Sequence, residues 1–370
     1  MKKYGLISVI LLLLVSFSSV SCSTDNAPSP SDSAPSSSSS EVIRIVWEDN
    51  GAIGSASYKL MEQMRDRIVT ATQGRVDLEL HPMDEIVQRN QIAQSVTEGA
   101  LDMGSYSSAS DFGRLGNKAW LCTPSGLPAA SSGADCAAWV YNGGGLTAMR
   151  DILDPFGLFL LGVRPWPAEV FCYSNEILDD AEDFQGVKFR TQGVWAEILA
   201  DYGASVVTLS GGEVYQAMER GVIDAFELGP PSYNWPLGFE EICKYIGIPG
   251  IHSPGSAELI TMNKDVWNSL PSDVQQIFQD EVIAMGLYGY GQLLVADAEA
   301  MNNYQNSGIE FFTLSEDFQK DIARKSKAKM EGWASEDASF AAVWEQQNDF
   351  YRKWAQLQST TSDFTVYTVD

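Results

Sequence analysis

The chain has 370 residues and is strongly acidic, with 24 lysines and arginines against 49 aspartates and glutamates and a formal net charge of −25. This charge argues against a nucleic-acid-binding protein, because contacts to phosphate need clustered lysine and arginine. Only two histidines are present, His81 and His252, and nothing near either one predicts a Ser-His-Asp triad or a zinc-hydrolase site.

Residues 1–21 have the pattern of a secretory signal, in which two lysines precede a short apolar stretch and small residues precede Cys22. The apolar stretch is too short to span a membrane. The residues before Cys22 resemble a bacterial lipobox, although Ser19 stands where leucine is usual, and ordinary signal cleavage nearby is the alternative. Residues 22–40 are rich in serine and proline and predict a flexible tether. We therefore expect an exported protein whose only membrane attachment is a lipid on Cys22.

Four further cysteines, at positions 122, 136, 172 and 243, show no C-x-x-C spacing, so the sequence predicts no zinc site among them. In an exported protein they could form disulfides, with Cys122–Cys136 the simplest pair. Four cysteines allow three connectivities, and buried free thiols are equally compatible with the sequence. The pairing of Cys122, Cys136, Cys172 and Cys243 therefore stays open.

The folded chain begins with alternating strand and helix patterns, recognised by apolar periods of two and of 3.6 residues. The predicted elements are strand 42–47, helix 57–70, strand 76–81, helix 86–98 and strand 100–104. Residues 115–133 are irregular, and a helix predicted at 134–152 contains the sequence NGGG at 142–145. Each helix-interior glycine costs roughly 1 kcal/mol relative to alanine, so another part of the chain is expected to approach the backbone there. A phosphate-binding loop is not predicted, because no Lys-Ser/Thr follows. Strands at 156–163 and 170–173 come next.

Residues 186–231 hold the densest α/β pattern, and the rest of the chain is organised around them. The predicted elements are strand 187–190, helix 194–202, strand 204–209, helix 213–220 and strand 222–226. Such tight alternation predicts a parallel sheet whose strand ends face a ligand. Arg190 ends the first of these strands and Glu227 follows the last, so this pair is the candidate centre of function.

An internal similarity predicts two lobes of similar plan. The sequence QSVTEGALD at 94–102 shares glutamine, glycine and aspartate at equal offsets with QAMERGVID at 216–224. In an exported protein, two α/β lobes indicate a solute-binding protein that closes on its ligand at a hinge. The expected boundaries are a first lobe at 41–165 with a return segment at 255–270, a second lobe at 166–254, and helices at 271–370 that brace both lobes. A helix over 271–307 would span ~55 Å at ~1.5 Å per residue, which also permits contact with a second subunit.

These motifs resemble the extracytoplasmic solute receptors of TRAP transporters, the DctP-like family, over most of residues 41–355. The most specific segments are GVKFRTQG at 186–193, GGEVYQA at 211–217, GVIDAFE at 221–227 and YIGIPG at 245–250. The GGE sequence at 211–213, the YNGGG interruption at 141–145 and the PG at 249–250 resemble the branch that binds 2-oxo and 2-hydroxy monocarboxylates such as pyruvate or lactate. The resemblance implies a two-lobed α/β receptor without catalytic activity, which delivers a small organic acid to TRAP permease subunits and in some members forms dimers.

The resemblance also implies roles for individual residues. Arg190 matches the arginine that holds the ligand carboxylate, and a planar guanidinium can do so with two charge-assisted hydrogen bonds. Glu227 matches a metal-binding carboxylate. Glu169 replaces a usual glutamine and could join Glu227 in binding Ca²⁺ or Na⁺ against the ligand carboxylate, or face a ligand amine. Leu228 and Ser253 depart from the branch, which has tryptophan and Glu or Gln there, so the ligand set is altered.

The remaining candidate ligand-binding residues are Gln192, Trp166, Tyr106, Tyr173 and Phe226. Trp47 and Trp235 could also wall the pocket, and core packing is the alternative for each aromatic residue. No redox cofactor is expected. Two alternative functions stay open: a sensory receptor for a signalling partner, and a glycoside hydrolase using Glu169, Glu213 and Glu227. Glu213 is explained equally well as an acid in the first turn of a helix.

Overall fold

The computed structural model describes residues 42–123 and 132–361. The predicted signal segment, the tether and Cys22 lie outside these residues. The described strands are β1 (Ile43–Asp49), β2 (Val76–His81), β3 (Met103–Tyr106), β4 (Leu158–Trp166), β5 (Cys172–Ser174), β6 (Lys188–Arg190), β7 (Ser205–Val207), β8 (Ala225–Phe226), β9 (Tyr245–Ile248), β10 (Ser256–Asn263) and β11 (Glu310–Thr313). The described helices are α1 (Ala56–Ala71), α2 (Ile92–Glu98), α3 (Phe112–Leu115), α4 (Ala119–Cys122), α5 (Gly133–Asn142), α6 (Gly145–Leu153), α7 (Val194–Ala200), α8 (Val214–Glu219), α9 (Pro231–Asn234), α10 (Lys264–Ser269), α11 (Ser272–Ser307), α12 (Glu316–Glu336) and α13 (Ala338–Thr361).

The strands form two sheets, and the predicted two-lobed α/β fold is confirmed. The first sheet has the order β2-β1-β3-β10-β4 and the second the order β11-β9-β5-β8-β6-β7. The strands predicted within 186–231 pair in parallel as expected, since β6 runs parallel to both β7 and β8. Each sheet as a whole is mixed: β10 runs antiparallel to β3 and β4, and β5 runs antiparallel to β8 and β9. The reason is the chain path. After β4 and after β9 the chain crosses to the other sheet and enters it against the direction of the strands built by β-α-β units.

The helix predicted at 86–98 begins only at Ile92, because the preceding loop is held by a buried carboxylate. Glu48 on β1 accepts hydrogen bonds from the backbone N–H groups of Glu85 at 3.1 Å, Ile86 at 3.3 Å and Val87 at 3.0 Å. Burial raises the pKa of Glu48, and these three bonds oppose that rise. The loop is thereby fixed immediately before Arg89.

The glycine interruption at 142–145 lies between α5 and α6, and the predicted close approach is made by α13. A Cβ atom at Gly144, whose φ is +90°, would lie 2.5 Å from Nε2 of Gln346. A Cβ at Gly143 would lie 2.8 Å from Cδ2 of Phe350. The glycines therefore serve helix packing rather than ligand binding.

Helix α11 packs against the cores of both sheets. Phe278 and Val282, in its first half, belong to the core of the first sheet, whereas Tyr304 near its end lies in a core of the second sheet. Its 36 residues correspond to ~54 Å at ~1.5 Å per residue. None of the helices in the described residues combines the length and the apolar character needed to cross a membrane.

The four described cysteines are all buried free thiols. Burial raises the pKa of three of them, Cys122, Cys136 and Cys172, to about 12. The simplest predicted disulfide, Cys122–Cys136, is therefore not present, and the alternative of buried thiols describes the structure.

A cleft with an arginine clamp and a carboxylate cluster

A cleft of about 840 Å³ opens where strand ends and loops of the two sheets face each other. Its lining includes one group of residues from the first-sheet side, namely Arg89, Ser107, Thr123 and Glu258. A second group comes from the second-sheet side and the connections beside it, namely Glu169, Arg190, Gln192, Glu227 and His252. The cleft thus combines positive and negative side chains in one partly enclosed space.

Arg190 is the last residue of β6 and is only 2% exposed. Its Nε donates to the carbonyl of Leu209 at 3.1 Å, and its Nη1 donates to the carbonyl of Glu227 at 2.6 Å and to Glu227 Oε1 at 3.3 Å. Burial lowers the pKa of Arg190, and the charge of Glu227 opposes that change. Among the described residues none accepts a hydrogen bond from Nη2. Nη2 is therefore the atom left for a ligand.

The strand register explains why Arg190 and Glu227 meet. In the parallel pair β6–β8, Arg190 is opposite Phe226, so the next residue, Glu227, follows the strand end beside the arginine. The backbone N–H of Glu227 donates to the carbonyl of Arg190 at 3.3 Å. This proximity is what the alternating pattern in 186–231 predicts, because the carboxyl ends of neighbouring parallel strands meet at one edge.

Glu169, Glu227 and His252 form a cluster in which one ligand atom of each lies within 4.8 Å of the others. Glu169 accepts a hydrogen bond from Ser253 Oγ at 3.2 Å, and its other oxygen lies 3.2 Å from His252 Nε2. The glycine of the Pro249-Gly250 turn allows this approach, because a Cβ at Gly250 would lie 1.9 Å from the carbonyl oxygen of Glu169. Ser253, a departure from the family pattern, thus holds Glu169 in place.

The donor set of this cluster fits a metal ion. Two carboxylates that lie close together repel each other, and a cation between them would offset that repulsion. His252 is 4% exposed and packs edge-on against Phe171 and Trp195, with ring centroids 5.9 and 5.6 Å apart. Its Nδ1 is buried without a hydrogen-bond partner among the described residues, so the ring is held mainly by packing. Glu169, Glu227 and His252 Nε2 are therefore the residues that would hold an ion.

Two of the other candidate ligand-binding residues, Trp166 and Gln192, line the cleft. The structure does not bring the other three, Tyr106, Tyr173 and Phe226, to its lining. Each of these three is at most 1% exposed. Tyr173 stacks on Phe226 with centroids 5.2 Å apart, and Tyr106 belongs to the core under the first sheet. Core packing accounts for these three aromatics, as it does for the buried Trp47.

Glu213 lies at the edge of the cleft, but its carboxylate caps a helix. Its Oε2 accepts from the backbone N–H of Ser210 at 3.0 Å and from Ser210 Oγ at 2.7 Å, which completes a capping box before α8. These hydrogen bonds lower the pKa of Glu213. The interpretation of Glu213 as an acid in the first turn of a helix is confirmed.

Sequence reasoning missed many polar residues of the cleft, among them Arg89, Tyr233 and His252. For His252 a signal existed, because it is one of only two histidines and follows the PG turn of the YIGIPG segment. Arg89 lies in a segment predicted as the interior of a helix, where an arginine is unremarkable. Only the loop held by Glu48 turns it towards the cleft.

The family model for bacterial extracellular solute-binding proteins, family 7 (DctP), matches residues 50–337. The chain belongs to this family. The prediction of a TRAP solute receptor, made from the motifs in 186–250, is thus confirmed. The prediction that the protein is a receptor and not an enzyme is confirmed as well, since family 7 consists of extracytoplasmic solute-binding proteins.

One curated relative covers nearly the whole chain: a monocarboxylate 2-oxoacid-binding periplasmic protein of Nostoc sp., 25% identical over 353 residues, which are 95% of this chain and 94% of the relative. A TRAP solute-binding protein of Colwellia psychrerythraea with bound calcium and pyruvate matches with a TM-score of 0.79 at 22% identity, covering 86% of this chain and 97% of that one. A Bordetella bronchiseptica receptor with copurified calcium and picolinate also has a TM-score of 0.79, at 18% identity, with coverage of 87% and 95%. At these identities the two structures establish the family 7 fold.

Proposed function

We propose that this family 7 protein captures a small organic acid of the 2-oxo or 2-hydroxy monocarboxylate class and delivers it to the membrane subunits of a TRAP transporter. The observation that carries the proposal is the buried Arg190 guanidinium, which lines the cleft together with the Glu169–Glu227 pair and whose Nη2 has no acceptor among the described residues. A guanidinium in a partly dehydrated cleft favours a carboxylate over neutral ligands. The ligands named for the Nostoc relative and for the Colwellia receptor support this class.

A metal ion at Glu169, Glu227 and His252 would add a second positive centre for the same ligand. Carboxylate oxygens suit calcium or sodium, and calcium is present in two structural neighbours. The imidazole nitrogen of His252 widens the set of candidate metals to those that bind imidazole well, such as zinc. When bound, the ion would supply electrostatic attraction for the ligand oxygens and offset the charge of the two glutamates.

This chain's own residues explain how binding leads to closure. Arg190 and the glutamates stand on the second-sheet side, whereas Ser107, Thr123 and Glu258 line the cleft from the first-sheet side. A ligand that contacts both sides binds the closed form more tightly and shifts the population towards it. No bond is made or broken in this process.

The experiment that tests the proposal is calorimetric titration with pyruvate in buffers containing calcium, sodium, zinc or a chelator. We expect Arg190→Gln to weaken binding by about 10- to 100-fold, because a hydrogen bond between charged groups in a buried site is worth roughly 1.5–3 kcal/mol. Arg220→Gln is the matched control, since Arg220 is exposed on the same side of the molecule and does not line the cleft. Unchanged pyruvate affinity in Arg190→Gln would refute the role of this arginine, and equal affinity in all four buffers would refute the role of the ion.

Two finer features belong to this proposal. The lipobox resemblance supports lipidation of Cys22, which would keep the receptor beside its permease, and intact mass after expression in a bacterium tests it. The exposed apolar residues Leu287, Tyr288, Leu294 and Val295 of α11 support a homodimer, and a dimer is named for the Bordetella receptor. Sedimentation of a variant with charged residues at these positions tests it. The sensory-receptor and glycoside-hydrolase alternatives receive no support from the family comparison.

A further inference from the structure

Arg89 is a second guanidinium in the cleft, and nothing described so far accounts for it. It lies before α2, in the part of the chain that builds the first sheet, and it is half-buried. Arg190, by contrast, belongs to the second sheet. The two arginines therefore enter one cleft from different sheets.

The Arg89 side chain lies between Tyr233, whose ring packs in the core of the first sheet, and Gly211 on the second-sheet side. Its Nη1 donates to Tyr233 Oη at 3.3 Å, and its guanidinium lies over the Tyr233 ring, 5.8 Å from the centroid. A Cβ atom at Gly211 would lie 3.2 Å from Arg89 Nη1, so the missing side chain at Gly211 lets the guanidinium approach. Gly211 precedes α8, beside the strands that carry Arg190. Arg89 thus reaches from the first-sheet side to the second-sheet side.

The charge of Arg89 has no counter-charge in contact with it in the part of the chain that the structure describes, where no carboxylate forms an ion pair with its guanidinium. Asp84, an acid in the same loop, accepts instead from the backbone N–H of Arg89, with its Oδ1 at 2.7 Å. Tyr233 offers only a neutral oxygen and a ring face. The charge of Arg89 also contributes to lowering the pKa of Arg190, which means that the two guanidinium groups repel each other.

The position of Arg89 is built into the fold. The buried carboxylate of Glu48 holds the backbone of residues 85–87, two residues before it, with the three hydrogen bonds described above. Burying that carboxylate has a free-energy cost, which the three hydrogen bonds offset. The same hydrogen bonds fix the loop. A surface arginine on a mobile loop would need no such support.

We propose that Arg89 is a second anion-binding residue, which holds the ligand carboxylate from the first-sheet side while Arg190 holds it from the second-sheet side. This inference rests on the proposed function. Within the described ranges Nη2 of Arg190 has no acceptor, whereas its Nε and Nη1 already donate to Leu209 and Glu227, so this arginine does not present an open two-nitrogen fork. The other carboxylate oxygen is then bound by Arg89. An anion between the two guanidinium groups replaces their repulsion with attraction and ties the two sheets together.

The test compares Arg89→Gln, Arg89→Lys and Arg190→Gln by calorimetry with two probes, pyruvate and 2-oxoglutarate. Both probes carry the same 2-oxo carboxylate, but only 2-oxoglutarate has a second carboxylate. We expect Arg89→Gln to weaken both probes by the same factor, about 10- to 100-fold, as one charge-assisted contact is lost. Arg89→Lys keeps the charge and is expected to recover part of the affinity. Arg65→Gln is the control, because Arg65 is also half-buried in the first-sheet part but lies outside the cleft.

The outcomes separate this inference from the function on which it rests. Unchanged pyruvate affinity in Arg89→Gln, with binding lost in Arg190→Gln, overturns the inference alone. If Arg89→Gln loses affinity for 2-oxoglutarate but not for pyruvate, the inference is also overturned, because Arg89 would then hold the second carboxylate and not the 2-oxo carboxylate. If the wild-type protein binds neither probe, the proposed function and the inference fall together. Small-angle scattering adds a measurement of closure. Pyruvate at saturation is expected to reduce the radius of gyration of the wild type and of Arg65→Gln more than that of Arg89→Gln. An equal reduction in all three proteins contradicts the cross-cleft role of Arg89.

Discussion

Replacing Arg164 with methionine is predicted to destabilise the protein through the charges left behind. Arg164 is fully buried on β4, where it forms ion pairs with Asp49 at 3.3 Å and with Glu258. Its Nη2 lies 3.4 Å from the Asn50 side-chain oxygen, and its guanidinium lies 5.3 Å from the centroid of the Trp166 ring. Glu258 and Trp166 both line the cleft, so this network supports the first-sheet wall of the site.

The magnitude follows from the geometry. Methionine fills most of the volume of the arginine side chain but leaves Asp49 and Glu258 as two buried carboxylates without a cation. Removing one partner of a buried ion pair typically costs 3–5 kcal/mol, roughly, and we expect a loss in this range at pH 8. A surface arginine provides the contrast: Arg67 is exposed and pairs with Glu281, so Arg67→Met is expected to cost less than about 1 kcal/mol.

The pH dependence gives the prediction its sign. Burial raises the pKa of Asp49 even in the wild-type protein, where Arg164 opposes the rise. Without Arg164, the Asp49 carboxyl binds a proton still more readily in the folded state than in the unfolded state. The deficit is therefore largest above the raised pKa of Asp49 and shrinks as the pH falls. Urea unfolding of Arg164→Met and wild type at pH 8 and pH 5 measures it. A loss below about 1 kcal/mol at pH 8, or an equal loss at both pH values, would refute the reasoning.

Two further predictions concern α11. Burial, chiefly, raises the pKa of Asp297 to about 6, against an unfolded value near 3.9, so ionisation disfavours the folded state above this range. Asp297→Asn can keep the hydrogen bond from the backbone N–H of Ser232, which is 2.8 Å long in the wild type. Its free energy of unfolding is expected to rise by up to about 3 kcal/mol at pH 8 and not at all at pH 4. Urea unfolding measures this, and an equal rise at both pH values would contradict the assignment. The same substitution at two glycines of α11 is expected to have opposite effects: Gly289→Ala brings a Cβ within 2.2 Å of Leu60 Cδ2 and costs about 1–3 kcal/mol, whereas Gly291→Ala meets nothing within 4 Å and gains about 1 kcal/mol. Thermal unfolding of both variants checks this pair. A shift of the unfolding temperature in the same direction in both variants would contradict the prediction.

The parts of the fold that the sequence predicts are those set by local periodicity. The positions of α1, β2 and α11 follow from apolar spacing, and the meeting of Arg190 with Glu227 follows from two parallel strands ending at one edge. The directions of β5 and β10 do not follow, because they depend on where the chain crosses between sheets. Periodicity carries no information on such crossings.

The candidate site shows the same limit at the level of single residues. Arg89 is brought into the cleft by a carboxylate 41 positions earlier in the sequence, Glu48, whose role is visible only in its hydrogen bonds to the backbone of 85–87. Tyr173 and Phe226 fail in the opposite sense. Phe226 is next to Glu227 in sequence and Tyr173 is four positions after Glu169, but the side chains of both are buried in the core. Neighbourhood in sequence therefore identifies the edge of the sheet but not which side chains reach the ligand.

Glu227 takes part both in the anion site at Arg190 and in the carboxylate cluster, and it uses different atoms for each. Its carbonyl oxygen holds Arg190 Nη1 at 2.6 Å, whereas its carboxylate oxygen lies farther away, at 3.3 Å from the same nitrogen. The shorter contact belongs to the main chain, so the position of the arginine depends on the backbone more than on the Glu227 side chain. The carboxylate is thereby available to the cluster with Glu169 and His252. One residue can thus position Arg190 through its backbone and contribute to a cation site through its side chain. This arrangement allows a negatively charged ligand and a metal ion to be held side by side in a protein of net charge −25.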